Sequence, residues 1–144
     1  PPATKAEATA YTKPADKEDL VNKRQGAMWV AVAAGVEVAT GLVLVIRPSM
    51  FVWLLFGAEM SGGGQALGRL TGFALLALAL ACWPGGGADV RSALRALLVF
   101  SLLVTLYLAY LGIAGALAGI LLWPAVALHA ALTILLGRDW FVSA

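Results

Sequence analysis

Ala27–Ile46 is an unbroken apolar run with one carboxylate, Glu37, in its middle. Twenty residues of this character are long enough to cross a bilayer as a helix. Glu37 lies ten residues in, about 15 Å along the axis, near the midplane. An ionisable group there costs a few kcal/mol, about 3 on insertion scales. The fold must therefore neutralise it, protonate it or wet it.

The rest of the chain supports a membrane setting. Of 144 residues, 61% are hydrophobic and 12% charged, about half the charge usual in a soluble domain. Nine of the 18 formal charges fall within the first 24 residues. The expectation is an all-α integral membrane domain over residues 27–144, preceded by a polar tail at 1–26. A net charge of +2 with no basic patch among aromatics argues against nucleic acid as a partner. The single cysteine, Cys82, excludes an internal disulfide or a cysteine-based metal site and reads as a small filler near a helix end. The first 26 residues lack the apolar core of a signal peptide.

Four spans are expected: Ala27–Ile46, about Gln65–Trp83, about Ser92–Leu111 and about Ala116–Leu136. Arg47-Pro48, Pro84 with its glycines and Gly137-Arg138-Asp139 supply three stops. Pro124 either kinks the fourth span or occupies its first turn. Between the first two spans, Ser49–Gly57 is too short to cross and reads as an interfacial or re-entrant segment. Glu59-Met-Ser-Gly-Gly-Gly64 reads as a slack linker. In the tail, Asp16 is a candidate N-cap for a short helix after Pro14. The fold class is thus a four-helix membrane bundle with a short interfacial segment after the first span.

Eight of the ten Lys and Arg residues (Lys5, Lys13, Lys17, Lys23, Arg24, Arg91, Arg95, Arg138) fall on the side shared by the tail, the middle loop and the C-terminus. Arg47 and Arg69 fall on the other side. The positive-inside rule then puts both termini in the cytoplasm.

Each span carries one face of small and polar residues. Ala33, Ala34, Glu37, Thr40 and Gly41 share a face of the first, and Gly68 with Gly72 stands beside Arg69 on the second. Ser101, Thr105 and Gly112 line the third; Ala125, His129 and Thr133 line the fourth. Such faces let membrane helices approach closely. Counting the rise from the cytoplasmic side puts Glu37, Ser101 and His129 at about 12 to 15 Å, one common level. The expected intramembrane polar cluster is Glu37, Arg69, Ser101, Thr105 and His129. Within it His129 is the first partner for Glu37 and Arg69 the second. A pair of this kind also serves as a plain register lock, and Ser and Thr in such helices usually bond their own backbone. Trp53, Tyr107, Tyr110, Trp123 and Trp140 read as interface anchors.

No catalytic residues are assigned. There is no phosphate-binding glycine loop and no cluster spaced for a metal. Glu37, Ser101 and His129 at one depth do not make a hydrolytic triad without oxyanion donors. A lone His does not supply bis-histidine haem ligation, so no cofactor is expected.

The strings Gly35-Val-Glu37-Val-Ala-Thr-Gly41, Arg47-Pro48 and Leu-Leu-Phe-Gly57 resemble the opening of small bacterial four-span proteins related to DoxX. Gly68-Arg-Leu-Thr-Gly72 and Leu-Leu-Trp-Pro124-Ala-Val-Ala-Leu-His129 are similar to the same group. The resemblance covers residues 27–140 and implies a four-helix bundle in a bacterial inner membrane. The single membrane carboxylate in a first span also resembles the small multidrug-resistance transporters, which implies proton exchange at Glu37. The longer tail and the interfacial segment depart from that second pattern. The leading expectation is a non-catalytic accessory subunit held to other membrane subunits by its helix faces and tail, with lipid around it. A dimeric proton-coupled transporter using Glu37 is the alternative. A quinone- or lipid-binding subunit using His129 and the aromatics is a third.

Overall fold

A computed structural model of the chain describes residues 14–85, 89–115, 117 and 119–142. Every regular element among them is helical: α1 (Pro14–Ile46), α2 (Pro48–Phe56), α3 (Gly62–Ala81), α4 (Val90–Ala114) and α5 (Leu122–Val142). Three stretches are long and apolar enough to cross a membrane: Leu20–Ile46, Gly62–Ala81 and Val90–Ala114. α5 is not among them. It is as long as α3, but Trp123, Pro124, His129 and Arg138-Asp139 dilute its apolar character.

The boundaries refine the sequence reading. α1 runs without a break for 33 residues, about 50 Å, so the stretch after Pro14 is no separate short helix. It continues straight into the apolar run, and residues 1–13 lie outside the described residues. The glycine linker is also not slack. Gly62, Gly63 and Gly64 form the first turn of α3, because the Ser61 hydroxyl caps it, accepting from the Gly64 N–H at 3.2 Å. Met60 reinforces this turn by packing over Gly64 and Gly68. Pro124 is the third residue of α5, in a first turn where its missing N–H costs nothing.

The segment after the first span is the nine-residue helix α2. Pro48 starts it, and Gly57 ends it in the left-handed region at φ 68°, its N–H donating to Trp53 O at 2.8 Å. Two main-chain bonds fasten α2 to the approach to α5. Gly119 N–H donates to Leu55 O at 3.2 Å and Leu121 N–H to Leu54 O at 2.9 Å.

Packing fixes the chain directions. α1 and α3 lie against each other with Gly41 beside Gly72 and Pro48 beside Gly68, so they are antiparallel. At one pole, Gly26 at the foot of the buried part of α1 faces Val90 and Leu94 of α4 and Asp139 of α5. At the other pole, α2 and the approach to α5 are joined by the two bonds just described. α4 therefore runs parallel to α1, and α5 antiparallel to both. α1 is central, with α3 along one side and the tightly paired α4 and α5 along the other. One apolar cluster binds the first pole: Val30 and Ala33 of α1, Cys82 after α3, Ala93, Leu94 and Leu97 of α4, and Leu132 and Leu136 of α5.

Candidate functional site

A seven-residue repeat organises the junction of α1, α4 and α5. Val30, Leu94 and Leu136 belong to the packed apolar cluster. Seven residues along each helix, toward the α2 pole, stand Glu37, Ser101 and His129. Seven further stand Leu44, Leu108 and Leu122. None of the nine is more than 8% exposed. Seven residues are about two turns and about 10 Å, so each row stays on one face of its helix. Since Val30, Leu94 and Leu136 pack together and the helix directions are known, the polar residues occupy one level. The result is a polar layer between two apolar ones.

The three members differ in how completely they are satisfied. Among the described residues, Glu37 Oε1, Ser101 Oγ and His129 Nδ1 are buried without a hydrogen-bond partner. Thr105 and Thr133, one turn along, instead bond their own helices, to Ser101 O at 2.7 Å and His129 O at 2.8 Å. Thr71 does the same to Leu67 O at 3.0 Å. These hydroxyls follow the self-bonding habit of Ser and Thr in helices; Ser101 departs from it. Buried polar atoms without partners are uncommon and call for an explanation. Phe100 meets the His129 ring edge-on, with centroids 6.3 Å apart and planes at 71°, which holds the imidazole's attitude.

Glu37 thus faces protein and not lipid, as its small-residue neighbours Ala33, Ala34 and Gly41, all buried, require. Direct pairing is another matter. No hydrogen bond or ion pair joins Glu37 to His129 or Arg69 among the described residues. Arg69 is exposed on α3. Gly68 and Gly72 are the residues α3 turns onto its neighbours, and one residue of helix rotates Arg69 about 100° away from Gly68. Thr105 is half-buried. Of the five cluster residues, Glu37, Ser101 and His129 come together, Thr105 borders them, and Arg69 stands apart.

The aromatics divide similarly. Trp53, Tyr107, Tyr110 and Trp123 are exposed. Trp140 is half-buried against the apolar cluster at the first pole.

A second buried carboxylate went unseen in the sequence. Asp139 is 9% exposed, and its Oδ2 has no hydrogen-bond partner among the described residues. It lies beyond Gly137, outside the apolar run, with Leu94 and Val90 close by across Gly26. Burial pushes its carboxyl above the usual range, and Arg138 partly opposes the shift. The signal was its spacing: Asp139 follows the buried Leu132 by seven residues.

Chemically, Glu37 and His129 are the two groups of the layer that can bind a proton, and no hydrogen bond links them among the described residues. The main chain around it is helical, so its N–H groups are spent on i−4 carbonyls and offer nothing to a developing oxyanion. The described residues contain no group of three His, Cys, Asp or Glu side chains placed for a metal ion. No protein-family model, curated protein or solved structure matches this chain.

Proposed function

We propose that this chain is a four-helix integral membrane protein and serves as a non-catalytic accessory subunit of a larger membrane assembly. The observation that carries this reading is the length of α1. At about 50 Å it outruns the roughly 30 Å hydrocarbon core by some 20 Å. The surplus begins in a charged stretch, and Leu20 and Val21 on it are 58% and 61% exposed. A bare helical extension of that length is marginal in water. An apolar pair on it suits a docking partner, with the alternating charges of the tail setting register more than attraction. The small-residue faces suit close helix neighbours, in keeping with the resemblance to DoxX-related proteins, and the basic bias of this end suits the cytoplasmic side of an inner membrane.

Removing residues 1–20 is expected to leave the apolar helices folded and to abolish co-purification of the partner in mild detergent. Full retention of the partner, or purification of the intact chain by itself, would sink the reading. Cysteines at Ala10 and Ala144 should both resist an impermeant thiol reagent in intact cells. Cys82 is buried and stays silent.

A second reading is favoured by the polar layer: proton-coupled passage of a small solute, with Glu37 the proton carrier and His129 and Ser101 its neighbours. Uptake into proteoliposomes driven by a proton gradient, and its loss in Glu37→Gln, would support it. Absence of any proton-driven uptake would leave the layer to structure alone.

A further inference from the structure

We propose that the notch between α2 and the α2–α3 connection binds the ammonium head group of an aminophospholipid. The proposal rests on the membrane reading above and goes beyond it by naming a lipid and a place.

The notch is an open cavity of about 360 Å³ lined by Ser49, Met50, Trp53, Glu59 and Met60. That size is at the small end of ligand sites, enough for a head group and not for acyl chains. Its walls are fixed from several sides. Pro48 is packed against Gly68, Leu55 is buried, and the bonds from Gly119 and Leu121 hold the end of α2. The opposite face of α2, with Met50 and Trp53, is thereby turned outward, both residues exposed. Met60 is held over Gly64 and Gly68, and the Gly57 and Ser61 caps bracket the connection that carries Glu59. The backbone framing the notch is thus set before any ligand arrives, which lowers the entropy cost of binding.

Its chemistry selects an organic cation. An indole, two polarisable thioethers and a carboxylate surround the space, and no basic residue lines it. Indole faces attract ammonium groups, and thioethers adapt to their methylene arms. The Glu59 carboxyl group offers two acceptor oxygens to an N–H-bearing head group, and the Ser49 hydroxyl adds another. Arg47, exposed at the head of the same helix, is not part of the lining, so the notch itself offers only the ammonium-binding half of a zwitterion's recognition. The occupant comes from the membrane and not from free solution because Trp53 and its helix belong at head-group depth.

The test uses the full chain reconstituted in vesicles of equal parts phosphatidylethanolamine, phosphatidylcholine and phosphatidylglycerol. Lipids retained through mild extraction are counted by mass spectrometry. The wild type is expected to enrich phosphatidylethanolamine about fivefold over phosphatidylglycerol, a ratio in keeping with one exposed cation–π contact plus a carboxylate. Glu59→Gln and Trp53→Leu should each return the ratio to that of the bulk, while Glu59→Asp keeps most of it. Circular dichroism would confirm that all variants stay helical. Bulk ratios in the wild type, or enrichment that survives Glu59→Gln, would overturn the proposal. Equal enrichment of phosphatidylcholine would overturn the assignment to an N–H-bearing ammonium. A chain that fails to enter vesicles retains no lipid of any kind, and that outcome overturns the membrane reading first.

Discussion

Gly41 and Gly72 bring α1 and α3 into backbone contact. A Cβ on Gly72 would stand 2.7 Å from the Gly41 carbonyl oxygen, and a Cβ on Gly41 2.9 Å from that of Gly72. Neither obstacle is a flexible side-chain tip, so one helix must move to make room. Gly41→Ala and Gly72→Ala are each expected to cost about 1–3 kcal/mol, the usual range for overpacking. Gly35→Ala is the internal control. It has open space around it and should gain up to about 1 kcal/mol from helix propensity. Denaturant titration of the three variants in one detergent decides the matter. Equal effects at Gly35 and Gly72 would mean that the crossing is not where the structure puts it.

The polar layer makes a separate prediction, because its three buried polar atoms gain no bonds among the described residues to offset their burial. Glu37→Gln keeps the shape and removes the capacity to ionise. It is expected to fold with an unfolding midpoint at or above the wild type. Glu37→Lys introduces an obligate long cation at the same depth and should cost about 3 kcal/mol or more. If Glu37→Gln is itself strongly destabilised, the carboxylate is locking the bundle through a charged partner, and the proton-carrier reading fails.

Asp139 gives a pH dependence whose sign follows from its burial. Its folded carboxyl titrates above the unfolded one, so folding disfavours the charged form. The folded state therefore binds more protons through that window, and stability falls as pH rises through the carboxylate range and above it. Asp139→Asn should accordingly be more stable than the wild type at neutral pH. The gap should close as pH drops below the ordinary aspartate range, where both side chains are neutral. Unfolding midpoints at neutral and acidic pH test this. A gap that persists in acid would point to packing instead of charge.

The parts of the fold that were legible in the sequence are those ruled by periodicity and by strong punctuation. The Glu37 face and the Gly68–Gly72 pair follow from i, i+3, i+4 spacing, and Pro48 and Gly57 punctuate α2. Boundaries set by one side chain acting at a distance were not legible. The glycines of 62–64 look like slack unless the Ser61 hydroxyl is known to cap them and Met60 to cover them. The first turn of α5 is fixed partly by where Gly119 and Leu121 bond α2. Arg69 shows a different limit: its reach is obvious in the sequence, but its direction depends on which face of α3 the two glycines commit. Asp139 stood in a run read as a helix stop, where its polarity masked its seven-residue spacing from the buried Leu132.

The strap between α2 and the approach to α5 turns on Gly119. A Cβ there would collide with the Leu54 carbonyl oxygen and sit 2.5 Å from the Leu55 carbonyl carbon, so the close approach admits only glycine. Gly119→Ala is expected to push the approach to α5 off α2 and break the bonds to Leu54 O and Leu55 O. With each net hydrogen bond contributing roughly 1 kcal/mol, the local loss should be about 2 kcal/mol. The clearest measurement is amide exchange. The Leu121 N–H, protected by its 2.9 Å bond, should exchange faster in the variant. The amides of Leu132 and Leu136, deep in the cluster at the other pole, should keep wild-type protection. Faster exchange at both places would mean that the substitution loosens the whole helical assembly. No change at Leu121 would mean that α2 is held by the burial of Pro48 and Leu55 without need of the strap.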